Sequence, residues 1–173
     1  VETPVPTPGP GEVLVRARFL SLDPYMRGRM SEAKSYAKPV ELGAVMEGQT
    51  AGEVVASNVE GFKPGDTVLG GFGWQRFSCV APQQLFKVAP KEAPRSASLG
   101  VLGMPGLTAW VGLEDIGRPK AGETVVVSAA SGAVGQAVGQ IAKIRGCKVV
   151  GVAGGAKKCQ FVTEELGFDA CID

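Results

Sequence analysis

The segment Val125–Lys158, VVVSAASGAVGQAVGQIAKIRGCKVVGVAGGAKK, holds two valine-rich runs with a glycine-bearing turn and an amphipathic stretch between them. The first run is short and β-branched, which suits a buried strand. Beyond the turn, Val134, Val138 and Ile141 recur at helical spacing, so all three are expected to face a sheet. Gly135 and Gly139 lie four apart and mark a flat packing face. Extended in both directions, the same reading predicts strand Thr124–Ser128, a helix over about 132–145, strand Lys148–Val152, a helix over about 156–166 and strand Ala170–Ile172. Strands alternating with helices of this length form a parallel sheet with right-handed crossovers.

The turn Ala129-Ala130-Ser131-Gly132-Ala133-Val134-Gly135 is an A-x-x-G-x-x-G variant of the dinucleotide fingerprint. Gly132 lets the backbone approach a pyrophosphate, and Gly135 lets the helix pack tightly on the strand. Free N–H groups and the helix dipole favour an anion at this end, beside Ala133 and Val134. The competing reading is a plain tight turn with small residues for packing. At the end of the second strand an NAD site would place an acid for the ribose 2′-hydroxyl. No acidic residue lies between Gly132 and Glu164, and Lys157 and Lys158 follow that strand instead. Two cations there suit a 2′-phosphate and select NADP(H) over NAD(H). Surface lysines at a solvated helix start are the alternative, although the dipole opposes cations there.

The preceding part reads as short strands punctuated by turns. Glu12–Phe19 alternates, with Val13, Val15, Ala17 and Phe19 on one face and Arg16 and Arg18 on the other. Further strands are expected at Gly52–Ser57, at the end of Phe62–Gly70, at Trp74–Ala81 and at Leu85–Ala89. Such a series makes a small barrel or sandwich. The character changes near Pro94, which divides the chain into domains 1–94 and 95–173. A short helix and then a longer one over about 105–116 follow, with Pro105 suited to the first helical position and Gly117 to the C-terminal cap.

With 173 residues, a net charge of +1 and 45% hydrophobic residues, the composition is that of a globular chain, and nothing argues for nucleic acid or a membrane surface. No apolar run approaches the roughly 18 residues that span a bilayer. The start, VETPVPTPGPGE, has neither a basic stretch nor an apolar core, so it is not a signal peptide. Cys79, Cys147, Cys159 and Cys171 form no C-x-x-C and read as reduced thiols of a cytoplasmic protein. The absence of histidine excludes a His-based triad and the common zinc hydrolase sites from this chain, and no metal site is expected.

The segments SLDPYMRGRM, LGVLGMPGLTAW, GLEDIG, AASGAVGQAVGQIAK and GCKVVGVAGGAKKC resemble the zinc-free medium-chain dehydrogenase/reductases. Within them they are most similar to the leukotriene B4 12-hydroxydehydrogenase/prostaglandin reductase branch and its bacterial curcumin-reductase-type double-bond reductases. The resemblance runs over essentially the whole chain. It implies an N-terminal GroES-like β-barrel domain followed by the first half of a Rossmann domain, about half of a full family member. Where zinc-binding relatives have G-H-E, this chain has Gly48-Gln49-Thr50, without an imidazole. The implied reaction is NADPH-dependent hydride transfer to the activated C=C bond of an enone or enal, a small-molecule substrate, in a cytoplasmic homodimer. An NADPH quinone reductase and a non-enzymatic, crystallin-like NADPH-binding protein are the alternatives. The 173-residue chain by itself is expected to be catalytically negligible.

The resemblance places Tyr25 at the nicotinamide end of the cleft, as hydrogen-bond donor to the substrate or its enolate. A tyrosine is protonated at neutral pH and can donate. From the residues alone, Tyr25 is equally a packing residue in a proline-containing turn. Met104 and Thr108 match a segment on the nicotinamide side, where they serve either as cofactor contacts or as the lining of a helix start. Lys158 aligns with the family's 2′-phosphate lysine, with Lys157 assisting.

Overall fold

The computed structural model describes residues 1–88 and 93–173. It divides into two compact units, Val1–Leu99 and Gly100–Asp173. The first is built on a five-stranded antiparallel sheet of β1 (Val13–Leu20), β2 (Thr50–Ser57), β3 (Thr67–Gly70), β4 (Phe77–Val80) and β5 (Phe86–Lys87), in the order β4-β1-β2-β3-β5. A short helix, α1 (Tyr25–Arg29), leaves the end of β1. Val13, Val15, Val54, Val68, Phe72 and Leu85 form the core of this unit.

Val13 and Val15 are fully buried, as expected along β1, but Leu14 between them is buried too, and Phe19 is 45% exposed. The pairing with β2 shifts register between Leu14 and Val15 and again between Ala17 and Phe19. Each irregularity adds a residue to one strand and turns the following side chains to the other face. β2 opens two residues earlier than expected. The buried Thr50 hydroxyl donates to the Gly70 carbonyl at 3.0 Å and ties that end to β3. β4 covers only Phe77–Val80, so Trp74 precedes it. Ala89, the expected end of the fifth strand, lies outside the described residues.

The second unit opens with α2 (Met104–Trp110), which continues into a wide turn over Val111–Gly117. Met104 is its first helical residue and Pro105 its second, one position later than expected. The left-handed cap is Arg118, at φ 47°, rather than Gly117. The Arg118 N–H donates to the Leu113 carbonyl at 2.7 Å, a five-residue span that the 3.6-residue period cannot signal. The parallel sheet follows as β6 (Thr124–Ser128), β7 (Lys148–Val152) and β8 (Ala170–Ile172), in that order and in register, Ser128 opposite Val152. The crossovers are α3 (Ala133–Ile144) and α4 (Ala156–Gln160), the latter followed by a wide turn over Phe161–Glu165. An N-terminal β unit followed by the first βαβαβ part of a doubly wound domain is the expected architecture.

Small residues, not valines, carry the buried face of α3. Gly135, Ala137, Gly139 and Ala142 are buried, whereas Val134 is exposed, contrary to the periodicity reading. A Cβ at Gly139 would stand 1.8 Å from the ring of Phe168, so the aromatic occupies the place of a side chain. Phe168, only 4% exposed, joins Val127, Val149 and Val162 in the core between helix and sheet. Val138 and Ile141 pack at its margin, as expected of them.

Candidate functional site

The glycine turn lies at the C-terminal end of β6. Ala129 takes a left-handed conformation there, at φ 48°, which bends the chain sharply out of the strand. Gln136 donates its side-chain amide to the Ser131 carbonyl at 2.7 Å and braces the loop from the helix. A Cβ at Gly135 would approach the Ala129 carbonyl oxygen to 2.4 Å, so a glycine is what allows the helix to start this close to the strand. Gly132 is the N-cap of α3, and no side chain caps this end. The first-turn N–H groups of Ala133, Val134 and Gly135 therefore lack helical acceptors and point out of the helix end, the arrangement that receives an anion. A pyrophosphate fits these donors.

Because β6 and β7 are parallel and in register, the segment after β7 emerges at the same sheet edge as the glycine turn. Gly155 heads α4, and Lys157 and Lys158 lie in its first turn. Both lysines are exposed, and neither joins an ion pair among the described residues. Their charge is thus uncommitted. Asp173 Oδ1 accepts from the Gly155 N–H at 2.7 Å and fixes the loop before the lysines. That contact was not legible in the sequence, since Asp173 follows a different strand. Cys159 stands beside Cys171, and the neighbouring thiol, with burial adding to it, raises its pKa to about 11.

Met104 and Thr108 lie one turn apart on α2, and the Thr108 hydroxyl donates to the Met104 carbonyl at 2.7 Å. Both are partly or largely exposed. Within the second unit, the expected cofactor residues therefore fall into two groups: the sheet-edge set at Gly132–Gly135 and Lys157–Lys158, and the start of α2.

In the first unit, Tyr25 opens α1, which Pro24 leads into. The sequence reading made this segment a turn. It is one helical turn, with Met26 and Arg29 buried on its inner side. Arg29 lies four residues after Tyr25, on the same face. Its guanidinium is 5.5 Å from the Tyr25 ring centroid and 4.9 Å from that of Tyr36. Its Nε donates to Glu47 at 3.0 Å. Arg29 Nη1 and Asp23 Oδ2 are buried without a hydrogen-bond partner. Burial, and then the Asp23 and Glu47 carboxylates, push the Tyr25 hydroxyl above its ordinary pKa of 10, with Arg29 acting in opposition. The phenol is accordingly neutral, and a donor, near pH 7. The four-residue spacing of Arg29 from Tyr25 is a signal for this contact that the sequence already carries.

Residues 1–88 match the model of a family described as the N-terminal domain of oxidoreductase. Over 172 residues the chain is 57% identical to the NADPH-dependent curcumin reductase of Escherichia coli (strain K12), covering 99% of this chain and 50% of that protein. It is 46% identical over 163 residues to the NADP(+)-dependent 2-alkenal reductase of Nicotiana tabacum, covering 93% of this chain and 48% of that protein. The crystal structure of CurA in complex with NADPH from Vibrio vulnificus superposes with a TM-score of 0.91 at 52% identity, over 100% of this chain and 51% of that one. The chain spans about half the length of the relatives it matches.

Proposed function

This chain belongs to the oxidoreductase family whose N-terminal domain its residues 1–88 match, within the medium-chain dehydrogenase/reductases, and from that premise we propose that the whole protein reduces the activated C=C bond of an enone or enal with NADPH. One observation carries the cofactor half of this reading. The uncapped start of α3 and two uncommitted lysines stand at one edge of the parallel sheet, with no acid between Gly132 and Glu164. The names of the relatives, a curcumin reductase and a 2-alkenal reductase, support the substrate class.

Bound NADPH supplies a hydride for the β-carbon of the substrate. The residues of the chain do the rest. The N–H groups of Ala133, Val134 and Gly135 hold the pyrophosphate, with Gly132 admitting it close to the backbone. Lys158, assisted by Lys157, pairs with the 2′-phosphate, and Met104 and Thr108 line the nicotinamide side. Tyr25 donates a hydrogen bond to the carbonyl oxygen, where negative charge grows as the enolate forms. A donor placed there acts on the transition state more than on the ground state. A proton taken up from solvent at the α-carbon completes the reduction. The protein works as a cytoplasmic homodimer on a small molecule.

The test is NADPH and NADH oxidation by the full-length protein against a panel of enones, enals and quinones. Turnover of enones or enals with preference for NADPH is the expected result. Turnover of quinones alone, or tight NADPH binding without oxidation of any acceptor, overturns the reading.

A further inference from the structure

We infer that Arg29 is a positioning residue for Tyr25, its guanidinium fixing the phenol ring and strengthening its hydroxyl as a hydrogen-bond donor. The inference rests on the proposed role of Tyr25. It starts from an arrangement that packing alone does not explain. Arg29 is 7% exposed, yet its ion-pair partner Glu47 has a side chain 54% exposed, and Nη1 has no hydrogen-bond partner. A buried cation with an unpaired nitrogen is costly, and an apolar residue of similar volume would fill the space at less cost. The charge is kept where it meets two aromatic faces, Tyr25 and Tyr36.

The chemistry of that contact follows from the ring. A cation over a phenol draws on its π density and favours the charge that develops at oxygen as the hydroxyl gives up its proton's share. Arg29 is also the cation that opposes Asp23 and Glu47 around this phenol. Its stem, one helical turn from Tyr25, is anchored at both ends. The guanidinium is held by Glu47, and the Arg29 carbonyl accepts from the Val40 N–H at 2.9 Å. The ring of Tyr25 is thereby given one orientation rather than several.

Arg29→Gln in the full-length enzyme is expected to lower kcat by about tenfold, a weakened rather than a lost donor, with the Kd for NADPH unchanged. The resonance of Cζ-labelled Tyr25, assigned by its disappearance in Tyr25→Phe, is expected to titrate at higher pH than in wild type. Added to Tyr25→Phe, Arg29→Gln is expected to cause no further loss of kcat. Should Arg29→Gln not fold, Arg29→Lys takes its place: it keeps the charge but not the planar fork, and a smaller loss in the same direction is expected. Wild-type kcat in the folded variant, an unmoved Tyr25 titration, or an equal loss in the Tyr25→Phe background each overturns the inference. The reading of Tyr25 itself fails by a different result, wild-type kcat in Tyr25→Phe alone.

Discussion

The two units build their candidate sites from different material. In Gly100–Asp173 the site is mostly backbone: free N–H groups at the head of α3, a left-handed Ala129, and a Gly135 that admits the helix against the strand. In Val1–Leu99 it is side chains: a phenol, a buried guanidinium and two carboxylates gathered around one turn of helix. A backbone site is set by the order of strands and helices and tolerates change in most side chains. A side-chain site depends on particular groups and on their partners. Substitutions should therefore act through stability in the second unit and through turnover in the first.

The largest expected effect tests the first half of that contrast. Phe168 fills the space over Gly139 and Gly151 and is 4% exposed. Phe168→Ala should destabilise the second unit by about 3–5 kcal/mol, read from urea denaturation of the full-length protein. A loss well below this would mean that α3 settles onto the sheet without the ring. The three strands around this core were legible in the sequence to the residue, the first two from their short β-branched runs and the third from the alternation of strands with helices. The buried face of α3 was legible in part: the four-residue spacing marked Gly135 and Gly139, and Val138 and Ile141 pack where expected, but spacing did not show that Val134 is exposed. Nor could spacing show that Phe19 turns outward, since a bulge is a property of two strands together.

Tyr25→Phe tests the other half. It removes one hydroxyl from a half-buried ring and should leave stability and NADPH affinity nearly unchanged. Turnover should fall by about 10²-fold, the lower end for loss of a donor to a developing oxyanion. Wild-type kcat would make Tyr25 a packing residue and erase the contrast between the units. The sequence pointed to Tyr25 only through the family resemblance. It said nothing of Glu47 and Asp23 as its electrostatic partners, because Glu47 is brought in by the loop before β2 rather than by local spacing.

A smaller effect should follow from the side chain on which the backbone site does depend. Lys158→Asp replaces an uncommitted cation by an anion where we propose the 2′-phosphate binds. Specificity for NADPH over NADH, measured as the ratio of kcat/KM values, should fall by at least about tenfold, as one charge-assisted contact of roughly 1.5–3 kcal/mol is lost. Lys157→Ala should do less. An unchanged ratio would move the phosphate contact elsewhere, and the second unit's site would then be backbone alone.

The smallest expected effect asks whether surface charge ties the second unit together at all. Asp169 accepts from Lys143 at 2.7 Å and from the Val149 N–H at 2.6 Å, so it joins the last turns of α3 to β7 just before β8 begins. Those contacts, the Lys143 ammonium first, hold its carboxyl below the ordinary value of 3.8. A carboxyl whose folded pKa is depressed lends stability above its unfolded pKa and loses it as the pH falls through the folded one. Asp169→Asn should therefore lower the Tm modestly at neutral pH, since the pair is exposed and screened by solvent. The difference from wild type should shrink once the pH drops below 3.8. Added salt should shrink it too at neutral pH, through Lys143, while the bond to the Val149 N–H remains. A gap in Tm that is constant from neutral to strongly acidic pH would show that the Asp169 side chain acts by shape and not by charge.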